Sequence, residues 1–218
     1  MNESEKHLEN LSEIRNLMEQ SSRFLSLSGL SGIFAGIYAL TGFALVAWYM
    51  DFRIIYPYQS SSILLADGSY NSDFFIYSAI VAFVVLSFAI GTSLYVSWKK
   101  SKRMNMVFWN PSAVKVGFNL FFPMVVGGLF SLAQLYHGHL GTIASTTLLF
   151  YGVALISASK FTFNDIKYLG YFQVLLGIVA AFFIGYGLII WAIGFGILHI
   201  LYGIIMYLKY DRQQAVSK

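Results

Sequence analysis

The segment that decides the fold is Tyr168–Leu208, YLGYFQVLLGIVAAFFIGYGLIIWAIGFGILHILYGIIMYL, which has 41 residues and no charged side chain. As a single helix it would be ~60 Å long, about twice the ~30 Å hydrocarbon thickness of a bilayer. The segment therefore has to fold back on itself. Two glycines in Gly185-Tyr186-Gly187 lie near its middle and permit a tight turn. We expect one membrane span to end near Gly185 and another to begin near Leu188.

Four more charge-free segments, each about one bilayer long, precede this one in the chain. The whole chain of 218 residues is 57% hydrophobic and 11% charged, whereas soluble domains carry about 25% charged residues. The sequence thus predicts an all-α, polytopic membrane protein with six transmembrane helices. The expected spans are residues 25–50, 74–98, 112–136, 140–159, 166–185 and 188–208, within a membrane domain of residues 25–209.

The basic residues predict the orientation of these spans, because Lys and Arg collect in short cytoplasmic loops. On one side of the predicted spans the chain has 13 basic residues, and on the other it has Arg53 alone. Both termini are therefore expected in the cytoplasm, with a cytoplasmic tail of residues 210–218. The expected location is the cell (inner) membrane.

An amphipathic cytoplasmic helix is predicted for residues 1–24, since apolar side chains recur there at intervals of three and four. Its polar face has five glutamates against three basic residues, whereas helices that lie on anionic lipid are rich in Lys and Arg. This balance favours a protein partner, or docking on the protein's own basic loop at residues 99–103. A solvated helix that only extends the first span is one alternative, and a coiled-coil dimer through the heptad-spaced Leu11, Met18 and Leu25 is another, although two heptads are too few to identify one.

The spans share glycine spacings that suggest three tandem αα-hairpins. Gly29 and Gly36 in span one are seven residues apart, as are Gly170 and Gly177 in span five. Gly91 and Gly152 each lie eight residues before a lysine. Because glycine is common in membrane helices, chance coincidence of these spacings is the alternative. Small residues that let helices approach closely are expected to serve packing; they are Ser28, Gly32, Gly36, Gly170 and Gly177.

Polar residues inside the spans are few, and none of them is Asp or Glu. Ionisable groups at this depth are candidates for function, and their scarcity argues against ion-coupled transport through a carboxylate. His199 lies near the middle of span six and needs a hydrogen-bond partner on another helix. A purely structural bond or a role in ligand or haem binding would both fit. The candidate ligand-binding residues are His199, Gln173, Asn119, Gln134 and Tyr151.

His137 and His139 flank a glycine in the turn between spans three and four and form a weak candidate metal pair. Two histidines are too few for a closed zinc site, which needs four ligands, so a simple turn at the membrane surface is the alternative. The chain has no cysteine and no enzyme signature. We expect no enzymatic activity, no cofactor and no nucleic-acid partner.

The sequence therefore favours a non-enzymatic integral membrane protein that acts as a binding, regulatory or assembly partner. The competing hypothesis is a passive carrier for a small neutral or lipid-like solute, with a mid-membrane pocket near His199. A haem or quinone protein that uses His199 is a third possibility.

Overall fold

The computed structural model describes residue 24 and the ranges 26–57, 63–65 and 67–212. Except for Phe24, the amphipathic helix predicted for residues 1–24 lies outside these ranges, as does most of the predicted tail. Throughout the described ranges the chain is helical apart from its loops and one isolated bridge between Leu64 and Tyr70.

Five helices are long and apolar enough to cross a membrane, and a sixth apolar helix is shorter. In chain order they are α1 (Gly29–Tyr49), α2 (Ser72–Arg103), α3 (Pro111–Tyr136), α4 (Leu140–Phe161), α5 (Ile166–Phe182) and α6 (Ile184–Asp211). The 17 residues of α5 correspond to ~25 Å at the α-helical rise. The prediction of an all-helical, multi-pass membrane protein is confirmed at this level.

Short polar side chains begin the first three helices. Ser28 accepts a hydrogen bond from the Leu30 amide, Asn71 from the Asp73 amide, and Asn110 from the Ala113 amide. These side chains satisfy amide groups that have no partner inside a helix, and this explains where the helices begin.

Most helix boundaries differ from those expected, by up to five residues. Helix α1 begins at Gly29, because the residues before it are non-helical and bound to distant parts of the chain. Helix α2 continues to Arg103, five residues past the expected end, with basic side chains in its last turn. Helix α5 ends at Phe182, three residues before the expected end, and after Phe183 helix α6 begins with the short 3-10 helix Ile184–Tyr186.

The helices form an open ring. Helix α1 packs against α2 and α6, α6 packs against α5 and α4, α5 against α4, and α4 against α3. Helices α2 and α3 share no extended contact within the described chain. Only 6% of the most apolar part of α2 and 11% of that of α3 are buried, against 28% in α1 and 33% in α4 and α6. The ring is therefore open between α2 and α3.

Successive loops lie at opposite ends of the ring, and the loops at each end contact one another. At the end that we call the basic face, Lys100 bonds to Asp211, and Lys209 bonds to Asp165. At the opposite end, which we call the far face, the α1–α2 loop covers the other two turns. There the Tyr56 amide donates to the Gly185 carbonyl, and the Tyr70 hydroxyl donates to the Gly138 carbonyl.

Candidate functional site: a buried polar cluster

A π-helical turn, Ala192–Leu198, lies in the middle of α6 and directs one carbonyl group into the ring. The Gly194 carbonyl oxygen lies 2.9 Å from Nδ1 of His199, five residues later in the same helix. Because a carbonyl can only accept, Nδ1 carries the proton in this bond. Short π-helical segments are often found at functional positions, and this one fixes the tautomer of a mid-helix histidine.

The other ring nitrogen of His199 then has to accept a hydrogen bond. It receives one from the Tyr151 hydroxyl of α4, at 2.8 Å from Nε2. The Tyr151 and His199 ring centroids are 5.3 Å apart, and the Phe195 ring lies 5.8 Å from that of His199 and 5.0 Å from that of Tyr151, so the three rings form one cluster. His199 is therefore 5% exposed with both ring nitrogens bonded.

Gln173 brings α5 into the same cluster. Its Nε2 donates to the Gly194 carbonyl at 2.8 Å, and the residue is wholly buried. The close approach of the Gln173 side chain to the backbone of α6 depends on glycine at position 194, since a methyl group at Gly194 would lie 2.7 Å from Oε1 of Gln173. That oxygen has no hydrogen-bond partner among the described residues. The polar cluster, defined as Tyr151, Gln173, Gly194 and His199, joins three helices through one histidine and one carbonyl.

The other two candidate ligand residues lie elsewhere. Asn119 accepts a hydrogen bond from Ser157 at 2.8 Å, and Gln134 accepts one from Thr146 at 2.9 Å. Both bonds join α3 to α4. Asn119 does not bond to His199, because its amide group is bonded to Ser157 and to the Lys115 carbonyl.

His137 and His139 lie in the α3–α4 turn, where Gly138 adopts a positive φ of 76°. Their rings are 6.5 Å apart between centroids. Among the described residues no group of three His, Cys, Asp or Glu side chains is placed to hold a metal ion.

The small residues expected to pack occupy two helix crossings. Gly32 and Gly36 of α1 lie against α6, where a methyl group at Gly36 would come within 2.6 Å of the Gly196 carbonyl oxygen. Gly170 and Gly177 of α5 lie against α4. Ser28 differs from the other four: it precedes α1, and its hydroxyl donates to the Asp211 carboxylate at 2.6 Å.

Asp211 and Lys100 form a second buried group, at the basic face, that sequence reasoning did not identify. Their side chains are about one-tenth exposed, with Nζ of Lys100 2.6 Å from Oδ1 of Asp211. The same carboxylate accepts from the Gly29 amide, and the same ammonium donates to the Leu27 carbonyl. The signal available in the sequence was Asp211 itself, an acidic residue among the basic residues that follow span six.

Asp165, in the α4–α5 loop, accepts hydrogen bonds from Lys209 at 2.6 Å and from Tyr210 at 2.8 Å. Partial burial acts to raise the pKa of Asp165, but the two hydrogen bonds and the positive charges of Lys209 and Lys167 outweigh it, so the pKa is lowered. The loop is thus tied to the end of α6 by an ionised carboxylate.

Comparison of the chain with protein families, with curated proteins and with solved structures finds no match.

Proposed function

We propose that this chain is a non-enzymatic membrane protein that binds a protein partner and acts as a regulatory or assembly subunit. The observation that carries the proposal is the polar cluster, in which Gln173 and His199 are buried and hydrogen bonds join α4, α5 and α6. His199 has both ring nitrogens bonded and is 5% exposed, so a solute would have to displace protein contacts to reach it. Buried polar networks of this kind give a membrane fold rigidity and a defined register.

Residues outside the ring then have to carry recognition. The chain enters α1 through Phe24, whose amide donates to the Phe161 carbonyl and whose own carbonyl accepts from Thr162. Phe24, the first described residue, therefore lies at the basic face, and residues 1–23 precede it in the chain. That segment holds five glutamates and three basic residues, and we propose that it contacts the partner there. We also propose that both termini lie in the cytoplasm and that the ring lies in the cell membrane.

The N-terminal segment is tested in native membranes with the full chain carrying a photo-crosslinking amino acid in place of Leu11. We expect one discrete adduct with another protein, and its loss when Glu9 and Glu13 are both changed to Lys. A control replaces Asn10 and Asn16 with Ser, which leaves the charge unchanged. Adducts only to the protein's own loops, or an adduct indifferent to the charge reversal, would contradict the proposal.

The carrier hypothesis makes a different prediction about the access of water to the polar cluster. A carrier has to open its pocket to each side in turn, whereas a packed core stays closed. Since the chain has no cysteine, Tyr151→Cys and Phe195→Cys would each introduce a single thiol. We expect neither thiol to react with a membrane-impermeant maleimide, whereas Arg53→Cys and Lys102→Cys react from opposite sides. Labelling of the core thiols in the folded protein would favour the carrier.

A further inference from the structure

Two neighbouring pairs of helices in the ring meet through a glycine on each side. Between α4 and α5, a methyl group at Gly152 would lie 2.8 Å from the Gly170 carbonyl oxygen. Between α6 and α1, a methyl group at Gly203 would lie 2.7 Å from the Gly29 carbonyl oxygen. Such crossings let two membrane helices pack backbone to backbone. In each one, an even-numbered helix meets an odd-numbered helix of a different hairpin.

The same pairing of an even-numbered with an odd-numbered helix would place the third crossing between α2 and α3. These two helices share no extended contact within the described chain. Gly91 lies eight residues before Lys99, just as Gly152 lies eight residues before Lys160. Gly117 lies two residues after Lys115, close to the three that separate Gly170 from Lys167. A methyl group at Gly91, Gly117 or Gly128 would meet no described atom within 4 Å. Both sides of a helix crossing are thus present, and each lacks a counterpart in the part of the chain that the structure describes.

The two helices are held apart at the basic face. Phe24 and residues 26–28, which we call the strap, lead from α3 to α2. Nζ of Lys100 in α2 donates to the Leu27 carbonyl at 2.8 Å, while Phe24 packs in a buried cluster with Val116 of α3 and Ala158 of α4. The strap is bonded to Lys100 of α2 and, through Phe24, to Phe161 and Thr162 at the end of α4, and it packs on α3. It therefore keeps α2 and α3 of one chain from closing on each other at the basic face. No described residue of the chain supplies the missing counterpart.

We propose that a second copy of this chain fills the opening, with α2 of each copy packed on α3 of the other around a twofold axis along the membrane normal. Each copy has one half of the crossing on α2 and the other half on α3, so two copies complete both. The axis keeps each pair antiparallel, as in the α4–α5 crossing. This inference is independent of the proposed function, since it rests on the ring alone.

The α4–α5 crossing also predicts the register. There Gly152 lies opposite Val174 and Gly177 lies opposite Leu149. Transferred to the open crossing, Gly91 lies opposite Phe121 and Phe88 lies opposite Met124 of the second copy. Helix α2 has a shallow groove at that position, lined by Ser87, Phe88, Gly91, Thr92 and Tyr95. The Phe121 side chain, which is 68% exposed in the single chain, has the size and apolar character to fill it.

Disulfide crosslinking tests the proposal, again because the chain lacks cysteine. One tagged copy carries Phe88→Cys, a differently tagged copy carries Met124→Cys, and both are expressed together and oxidised in native membranes. We expect a mixed disulfide that carries both tags. The control pairs Met124→Cys with Phe83→Cys, which is 72% exposed on the same helix but five residues away. That pair is expected to give no disulfide.

A second variant separates packing from folding. Gly91→Leu added to the Phe88→Cys copy should abolish the mixed disulfide and leave the melting temperature of the monomer unchanged, since a Cβ at Gly91 meets no described atom within 4 Å. If the mixed disulfide never forms, or forms equally with Phe83→Cys, the proposal is overturned. A disulfide only within one chain that carries both cysteines would show self-closure. A monomer without crosslinks in native membranes would show lipid or another protein at the opening; either result also overturns the proposal.

Discussion

The ammonium group of Lys100 lies 2.6 Å from the carboxylate of Asp211, so the end of α2 is bonded to the end of α6. Through the same carboxylate, Asp211 also binds Ser28 and the first amide of α1. A negative charge at a helix N-terminus is favourable because the unpaired amides carry partial positive charge there. One ion pair thus connects three helices, and it links the first membrane helix to the last.

Breaking this pair should destabilise the fold strongly. Lys100→Met and Asp211→Asn each leave the other charge buried and unpaired, at a cost of about 3–5 kcal/mol. Asparagine keeps an acceptor for Gly29, so the second variant isolates the charge. Thermal unfolding in detergent is the measurement, with the exposed neighbour Lys99→Met as control. The double variant should lose less than the sum of the two single losses; strict additivity would show that the two charges do not interact.

The polar cluster should contribute less than the ion pair. Tyr151→Phe removes the donor to Nε2 of His199 but keeps the ring stack, and hydrogen bonds between membrane helices average about 0.6 kcal/mol with a maximum near 1.7. His199→Ala also removes the packing against Phe195, so we expect a larger loss. Leu201→Ala, at a half-exposed position of the same helix, is the control in thermal unfolding. Equal losses from Tyr151→Phe and His199→Ala would assign the whole effect to the hydrogen bond.

The number and type of the helices could be predicted because the bilayer thickness imposes a length that hydropathy reveals directly. The start of α1 could not. The apolar run begins at Leu25, yet the residues before Gly29 are held outside the helix by Lys100, Phe161 and Asp211, which are 70 or more residues away. A segment whose conformation depends on such distant contacts has no local signal.

The candidate site was predictable only in part for a similar reason. His199 and Gln173 stand out because polar groups at mid-membrane depth need partners. Their common acceptor, the Gly194 carbonyl, becomes available through a π-helical turn, for which the sequence carries no distinct signal. Whether Asn119 or Tyr151 reaches His199 depends on the rotation of α3 and α4, which is set by packing and not by hydropathy.

Filling a glycine crossing should distinguish packed from open positions. Gly152→Ala places a methyl group 2.8 Å from the Gly170 carbonyl oxygen, and overpacking of this kind costs about 1–3 kcal/mol. Gly128→Ala is a matched control on a neighbouring helix, where the methyl group meets no described atom. We expect a clear fall in melting temperature for Gly152→Ala and none for Gly128→Ala. A similar fall in both would show that Gly128 is covered in the detergent-solubilised protein.

The stability of the α4–α5 loop should depend on acid pH through Asp165. Its pKa is lowered in the folded protein, because the bonds from Lys209 and Tyr210 outweigh the effect of burial, so ionised Asp165 favours the folded state. This contribution is complete above the unfolded pKa of about 3.9 and is lost as the pH falls through the lower folded value. Asp165→Asn removes it at every pH. The variant should therefore melt below the wild type at pH 6, and the difference should shrink towards pH 3. A difference that stays constant between pH 6 and pH 3 would contradict an ionised Asp165 as its cause.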